Sequence, residues 1–198
     1  MDLRGKHLIL GSGSPRRKEL LSGLGIPFEV DTGNSFRESF PPDTPWDQIP
    51  LKMSEGKSYG FHRPLQENEI LITADTLVIL PPEEGRPGEI LGKPAGREAA
   101  CQMLRDLSGR AHHVTTAVTL RSTARCESFC DTTQVWFRPL SEEEITYYVD
   151  TYKPFDKAGA YAIQEWIGYV GIPRIEGSYC NVVGFPVHRV YETLSKFL

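Results

Sequence analysis

At 198 residues, 39% hydrophobic and 24% charged, the chain suits one domain or two small lobes with a substantial core, and its composition is that of a soluble globular protein. A formal net charge of −4 argues against broad binding of nucleic acid or a membrane surface by global electrostatics, so a polyanionic ligand must be met by a local cluster of cations. The start of the chain holds too few apolar residues for a signal-peptide core, and no run approaches the ~18 apolar residues of a membrane span, which together lead us to expect a cytoplasmic protein.

In chain order, the apolar run His7 to Leu10 predicts a strand, followed by a Ser/Gly loop and a helix from Pro15 to Leu24. In that helix Ser14 is the N-cap, Pro15 the first helical residue, Leu20, Leu21 and Leu24 the buried stripe and Gly25 the stop. A strand from Phe28 to Thr32, a Pro/Asp-rich connection around Phe40 to Pro45, and an irregularly patterned helix from about Trp46 to Phe61 come next. The strongest β pattern, Ile70 to Leu80, leads through Pro81 to Gly88 into Glu89 to Leu91 as a hairpin.

A helix from Arg97 to Leu107 carries Ala100, Met103, Leu104 and Leu107 on one face and stops at Gly109. Strands follow at His113 to Arg121 and Glu127 to Phe137, then a helix opened by the capping box Ser141/Glu144. Short apolar segments at 161–163, 169–175 and 180–183 precede a last helix, opened by Pro186, with Val187, Val190, Tyr191 and Leu194 inward. Strands joined by both helices and hairpin-length links imply an α/β fold with a mixed sheet, and two lobes sharing a continuous sheet fit better than two independent domains.

The most informative stretch is Ser12-Gly13-Ser14-Pro15-Arg16-Arg17. Arg16 and Arg17 occupy a first helical turn, where cations cost roughly a few tenths of a kcal/mol each unless something anionic sits among them. Backbone N–H groups and two guanidiniums at that place would cradle a phosphate; the alternative is a solvated basic helix start. Asp75 interrupts an apolar β run, where an unpaired carboxylate is costly, so it either caps a turn at a strand end or serves as a base or metal ligand. Lys93, in Gly92-Lys93-Pro94, is a surface turn residue or a phosphate contact, and Lys157 is a compact charge beside the small residues Ala158-Gly159-Ala160. Gln164 carries an amide that donates and accepts at once, as recognition of a base edge requires, or it simply faces solvent. Cys101, Cys126, Cys130 and Cys180 lack C-x-x-C spacing and read as reduced thiols; neighbouring His112 and His113 point to opposite faces of a strand and do not share a metal.

Seven motifs in order resemble the Maf-type nucleoside triphosphate pyrophosphatases: Ser12-Gly13-Ser14-Pro15-Arg16-Arg17-x-x-Leu20, Ala74-Asp75-Thr76, Gly92-Lys93-Pro94, Leu107-Ser108-Gly109, Thr116-Ala117-Val118, Asp156-Lys157-Ala158-Gly159-Ala160-Tyr161-x-Ile163-Gln164, and Gly177-Ser178-Tyr179-x-Asn181-Val182-Val183-Gly184-x-Pro186. The resemblance runs from about His7 to the C-terminus. It implies one Maf-like domain over residues 1–198, on an elongated, mixed, twisted sheet flanked by helices, with two lobes and a central cleft. It further implies a divalent metal, Mg²⁺ or Mn²⁺, and a nucleoside triphosphate cleaved to the monophosphate and pyrophosphate. A homodimer is compatible with the family.

By motif, Asp75 matches the catalytic carboxylate and a metal ligand, while Arg16, Thr76 and Gln164 match the residues associated with choice of base. Ser12, Ser14, Arg17, Lys57, Lys93 and Lys157 fall to substrate binding; Arg16, Arg17, Lys57, Lys93 and Lys157 are the cations that would offset the roughly four charges of a triphosphate. Gln164 after Ile163 is similar to the dTTP/UTP subgroup, where the 7-methyl-GTP subgroup tends to carry glutamate. Two positions depart from the family: Ser58 follows Lys57 in place of alanine, and Arg37 precedes the candidate metal ligand Glu38 where an acid is common. Rival readings are a pyrophosphatase for 7-methyl-GTP or for inosine and xanthosine triphosphates, and a regulatory module that binds nucleotides without hydrolysis.

Overall fold

The computed structural model describes residues 2–37, 39, 44–82 and 88–198. Its strands are β1 (His7–Leu10), β2 (Glu29–Val30), β3 (Glu69–Leu80), β4 (Glu89–Leu91), β5 (Ala111–Arg121), β6 (Cys126–Trp136) and β7 (Arg174–Glu176). Its helices are α1 (Pro15–Ser22), α2 (Ile49–Tyr59), α3 (Arg97–Leu107), α4 (Glu142–Tyr152), α5 (Trp166–Gly171), α6 (Tyr179–Val183) and α7 (Val187–Ser195). The strands form one sheet in the order β2-β1-β3-β5-β6-β7, with β4 paired to β3. It is mixed: β1 runs parallel to β2 and β3, whereas β3–β4 and β6–β7 are antiparallel.

The chain divides into two compact units. Unit 1 comprises Met1–Asp75, Thr116–Asp131 and Gly184–Leu198. Here the apolar runs Leu8–Leu10 of β1 and Ile70–Ile72 of β3 are explained by burial on both faces. Leu8, Leu10, Ile70 and Ile72 pack with Leu21, Val118, Phe185, Val190 and Leu194, while Ile9 and Leu71 join Phe61 and Leu65 in a second cluster. Unit 2 comprises Thr76–Thr115 and Thr132–Val183. Its core is the apolar faces of α3 and α4, with Val78, Leu80, Val114 and Val135.

Where the sequence carries strong local chemistry, expectation and structure coincide. Helix α3 spans the predicted Arg97–Leu107, and both bonds of the Ser141/Glu144 capping box are made. Elsewhere tertiary packing shifts the result. Helix α1 ends at Ser22 with Gly23 as C-cap, and Gly25 takes up its left-handed conformation (φ +65°) two residues later. Tyr191 is 42% exposed, and Thr193 takes its inward place on α7. Of the short apolar segments, 161–163 is not regular structure, 169–175 splits between the end of α5 and β7, and 180–183 lies within α6.

His112 on β5 is fully buried, its Nε2 2.7 Å from the Tyr161 hydroxyl and its ring stacked 5.7 Å from that of Phe137. Burial drives its pKa from 6.5 down to about 3, so the folded protein holds it neutral. Between pH 6.5 and 3 the unfolded chain therefore takes up a proton that the folded chain refuses, and stability falls with pH by about 1.4 kcal/mol per unit. Urea unfolding at pH 7.5, 6 and 5 should show His112→Gln less stable at neutral pH but with a shallower acid loss than the parent. Parallel losses in the two proteins would mean that His112 does not set this slope.

Candidate functional site

In unit 1 the loop 11–14 delivers the chain from β1 into α1. Ser14 is the N-cap in an extended conformation, with Pro15 at the first helical position, yet its hydroxyl makes no cap bond. The Ser12 Oγ accepts from the Ser14 N–H (3.4 Å) and from Arg17 Nη1 (3.2 Å). Arg17 also donates from Nη1 to the Ala74 carbonyl (2.8 Å) and from Nε to the Gly184 carbonyl (3.0 Å). The helix dipole alone suggests an external anion for both arginines; for Arg17, protein oxygens already supply acceptors. Arg16, half-buried, is the other guanidinium of this first turn.

Asp75 lies within β3, directly after Ala74, its side chain 16% exposed. Its Oδ1 is 2.6 Å from the Nζ of Lys57 on the last turn of α2, which answers the cost of a carboxylate in an apolar strand. Helix α2 reaches this position because Gly56 lets the Phe36 ring lie against it; a Cβ there would overlap that ring. Its last carbonyls are also capped from outside, Lys57 O by Asn34 Nδ2 and Ser58 O by Arg121 Nη2, each at 2.5 Å.

In unit 2, Thr76 follows Asp75 on β3 and is half-buried, and Lys93 is exposed in the turn after β4. The small-residue stretch does bring backbones close. Gly159 (φ +68°) donates its N–H to the Gly92 carbonyl at 3.1 Å, and a Cβ on it would press on Val78 at 3.0 Å. Lys157 is buried, with Nζ 2.8 Å from Asp156 Oδ1 and 3.4 Å from Glu165 Oε1. Glu165 in turn accepts from the Tyr148 hydroxyl, which itself accepts the Ala162 N–H at 3.2 Å. Burial first, then the Glu165 carboxylate, push the Tyr148 hydroxyl far above its ordinary pKa, so it stays a donor. Sequence reasoning missed this pair; the only signal was Tyr148 on the apolar face of α4 beside Ile145 and Val149.

Gln164 sits in the turn before α5, its backbone oxygen held by the Tyr169 hydroxyl at 2.5 Å. Its side-chain Oε1 is buried with no hydrogen-bond partner among the described residues. A buried acceptor left open costs about 1–3 kcal/mol, which a bound donor would recover.

The candidate residues thus form two groups. Ser12, Ser14, Arg16, Arg17, Lys57 and Asp75 belong to unit 1, Thr76, Lys93, Lys157 and Gln164 to unit 2, and Asp75 and Thr76 are consecutive on β3. Glu38 lies outside the described residues. Among the described residues no group of three or more His, Cys, Asp or Glu side chains is placed to hold a metal ion, and no helix is long and apolar enough to cross a membrane. The four cysteines are unpaired.

Comparison with known proteins adds the lineage. A dTTP/UTP pyrophosphatase of Bacteroides thetaiotaomicron is 49% identical over 190 residues, covering 96% of this chain and 95% of that protein. One from Porphyromonas gingivalis is 46% identical over 198 residues (99% and 96%), and one from Christiangramia forsetii 44% identical over 196 (99% and 96%). The family model described as "Maf-like protein" matches residues 7–197, and the chain belongs to that family.

Proposed function

We propose that this protein is a nucleoside triphosphate pyrophosphatase that hydrolyses dTTP and UTP to the monophosphate and pyrophosphate. The observation that carries the reading is the Lys57–Asp75 pair, a carboxylate placed within an apolar strand and held at 2.6 Å by a lysine, in a chain whose near full-length relatives bear that activity in their names. In this reading Asp75 orients a water molecule and takes its proton as the water oxygen attacks the α-phosphorus. The bond from that phosphorus to the α–β bridging oxygen breaks, and pyrophosphate leaves with the electron pair. Lys57 fixes the Asp75 carboxylate, and Arg16, Lys93 and Lys157 supply positive charge for the phosphates.

The donor set suits a divalent ion that arrives with its substrate. Asp75 offers one hard oxygen donor, and Mg²⁺ is commonly bound by one or two carboxylates with the rest of its shell from phosphates and water. Such an ion, Mg²⁺ or Mn²⁺, would offset phosphate charge, with Asp75 holding it. Unpaired cysteines and an abundant triphosphate pool fit work in the cytoplasm.

Choice of base is assigned to Gln164, with Thr76 and Arg16. Thymine and uracil present an N3–H donor between two carbonyl acceptors, whereas cytosine presents a bare N3 acceptor. The open Gln164 Oε1 suits the first pattern. A competition assay with dTTP, UTP, CTP and 7-methyl-GTP should rank dTTP and UTP first. Gln164→Glu should lower their kcat/KM by roughly 1 to 3 kcal/mol in free-energy terms and relatively improve 7-methyl-GTP, whose ring is cationic. An unchanged ranking would show that Gln164 does not read the base, and a parent preference for 7-methyl-GTP would overturn the substrate assignment.

A further inference from the structure

Within unit 1, the Lys57–Asp75 pair is one rung joining α2 to β3, with another beside it. The other is reciprocal: the Ser54 hydroxyl donates to the Thr73 carbonyl (3.2 Å), and the Thr73 hydroxyl donates to the Ser54 carbonyl (2.8 Å). Both residues are fully buried. Thr73 lies two residues before Asp75 on the strand, hence on the same face, and Ser54 lies three before Lys57 on the helix, hence on the adjoining turn. The two rungs are therefore stacked, one helical turn against one strand repeat.

The Ser54 proton is committed to the Thr73 carbonyl, so the 2.9 Å contact between Ser54 Oγ and Thr119 Oγ1 takes its proton from Thr119. Thr119 then accepts from Ser128 Oγ at 3.0 Å. The chain of hydroxyls runs Ser128 to Thr119 to Ser54 to the strand, with a single direction. Buried hydroxyls cost free energy unless each is bonded, and apolar residues would fill this interface without that demand. What hydroxyls add is register: two bonds of opposite sense fix both the rotation of α2 and its height along β3, which greasy contact alone does not.

We propose that Ser54 and Thr73 are positioning residues for the reaction: their reciprocal clamp sets the register of α2 on β3 so that Lys57 meets Asp75. The inference rests on the Asp75 and Lys57 reading above and adds to it how the pair is held. A misplacement of order 1 Å in a catalytic array costs up to about a hundredfold. Ser54→Ala and Thr73→Val should each lower kcat for dTTP by roughly tenfold to a hundredfold with little change in KM, and Thr73→Ser, which keeps the hydroxyl, should restore most of the rate.

The decisive measurement is a double-mutant cycle. If Ser54 acts through Lys57, Ser54→Ala introduced into a Lys57→Met protein costs no further activity, whereas an independent structural loss adds in full. Thr119→Val serves as the control, because it deletes a hydroxyl at the same depth and leaves both clamp bonds in place; it should keep near-parent kcat. Thermal melting and far-UV circular dichroism monitor folding, and the Ser54→Ala cycle carries the test where Thr73→Val does not fold. Additive losses, or an equal fall in Thr119→Val, overturn the clamp. Parent-level activity in Lys57→Met and Asp75→Asn would overturn the proposed site itself, a separate outcome.

Discussion

Asp75→Asn is expected to fold like the parent and to lose dTTP and UTP turnover by about a hundredfold or more. The amide keeps the size and planarity of the carboxylate at a strand position whose side chain is only 16% exposed, so β3 has no steric reason to move. What disappears is the group that accepts the proton of the attacking water, and the anion that faces Lys57 at 2.6 Å. Lys57 is 22% exposed and regains some hydration when its partner is lost, which limits the damage to stability. The measurements are steady-state kinetics at saturating Mg²⁺ or Mn²⁺ and a melting curve on the same sample. A variant with near-parent kcat would remove Asp75 from both the base and the metal-ligand roles, whereas a collapsed melting temperature would make the carboxylate a structural partner of Lys57.

The elements that were legible in the sequence are those whose own residues determine them. Helix α3 is read from its apolar spacing and α4 from its capping box, and both stand where expected because local signal and tertiary packing agree. Helices α5 and α6, six and five residues long, are too short to develop a periodic pattern. Helix α5 depends on Gly168 packing directly on the Ile163 carbonyl, a contact that spacing does not encode. The same division holds for the site. Asp75 is conspicuous because a carboxylate in an apolar strand demands a partner, but spacing does not show that the partner is Lys57, eighteen positions earlier. Ser54 and Thr73 gave no signal, since a serine and a threonine are unremarkable in a helix and a strand until their bonds are seen to be reciprocal.

Arg17 is the residue for which the structure changes the expected experiment most. From the helix dipole alone, Arg17→Ala should leave stability unchanged or gain a few tenths of a kcal/mol, with the whole effect falling on phosphate binding. The guanidinium, however, bonds the Ala74 and Gly184 carbonyls and the Ser12 hydroxyl, and so ties the start of α1 to β3 and to a segment 167 positions away in sequence. A hydrogen bond from a charged donor is worth about 1.5–3 kcal/mol net, and these share one side chain and do not add fully. The loss therefore exceeds the dipole gain several-fold, and Arg17→Ala should be destabilised by roughly 2 to 4 kcal/mol without any nucleotide present. For a chain of this length each kcal/mol lowers the melting temperature by about 2–4 °C. Because Ala74 precedes Asp75, turnover should fall too, and Arg17→Lys separates the causes: a lysine restores the charge but not the fork that reaches three acceptors. We expect Arg17→Lys to recover less than half of the lost stability and little of the lost turnover. Full recovery of turnover by lysine at reduced stability would instead assign Arg17 a direct charge role on the phosphates, and parent-like stability in Arg17→Ala would refute the structural one.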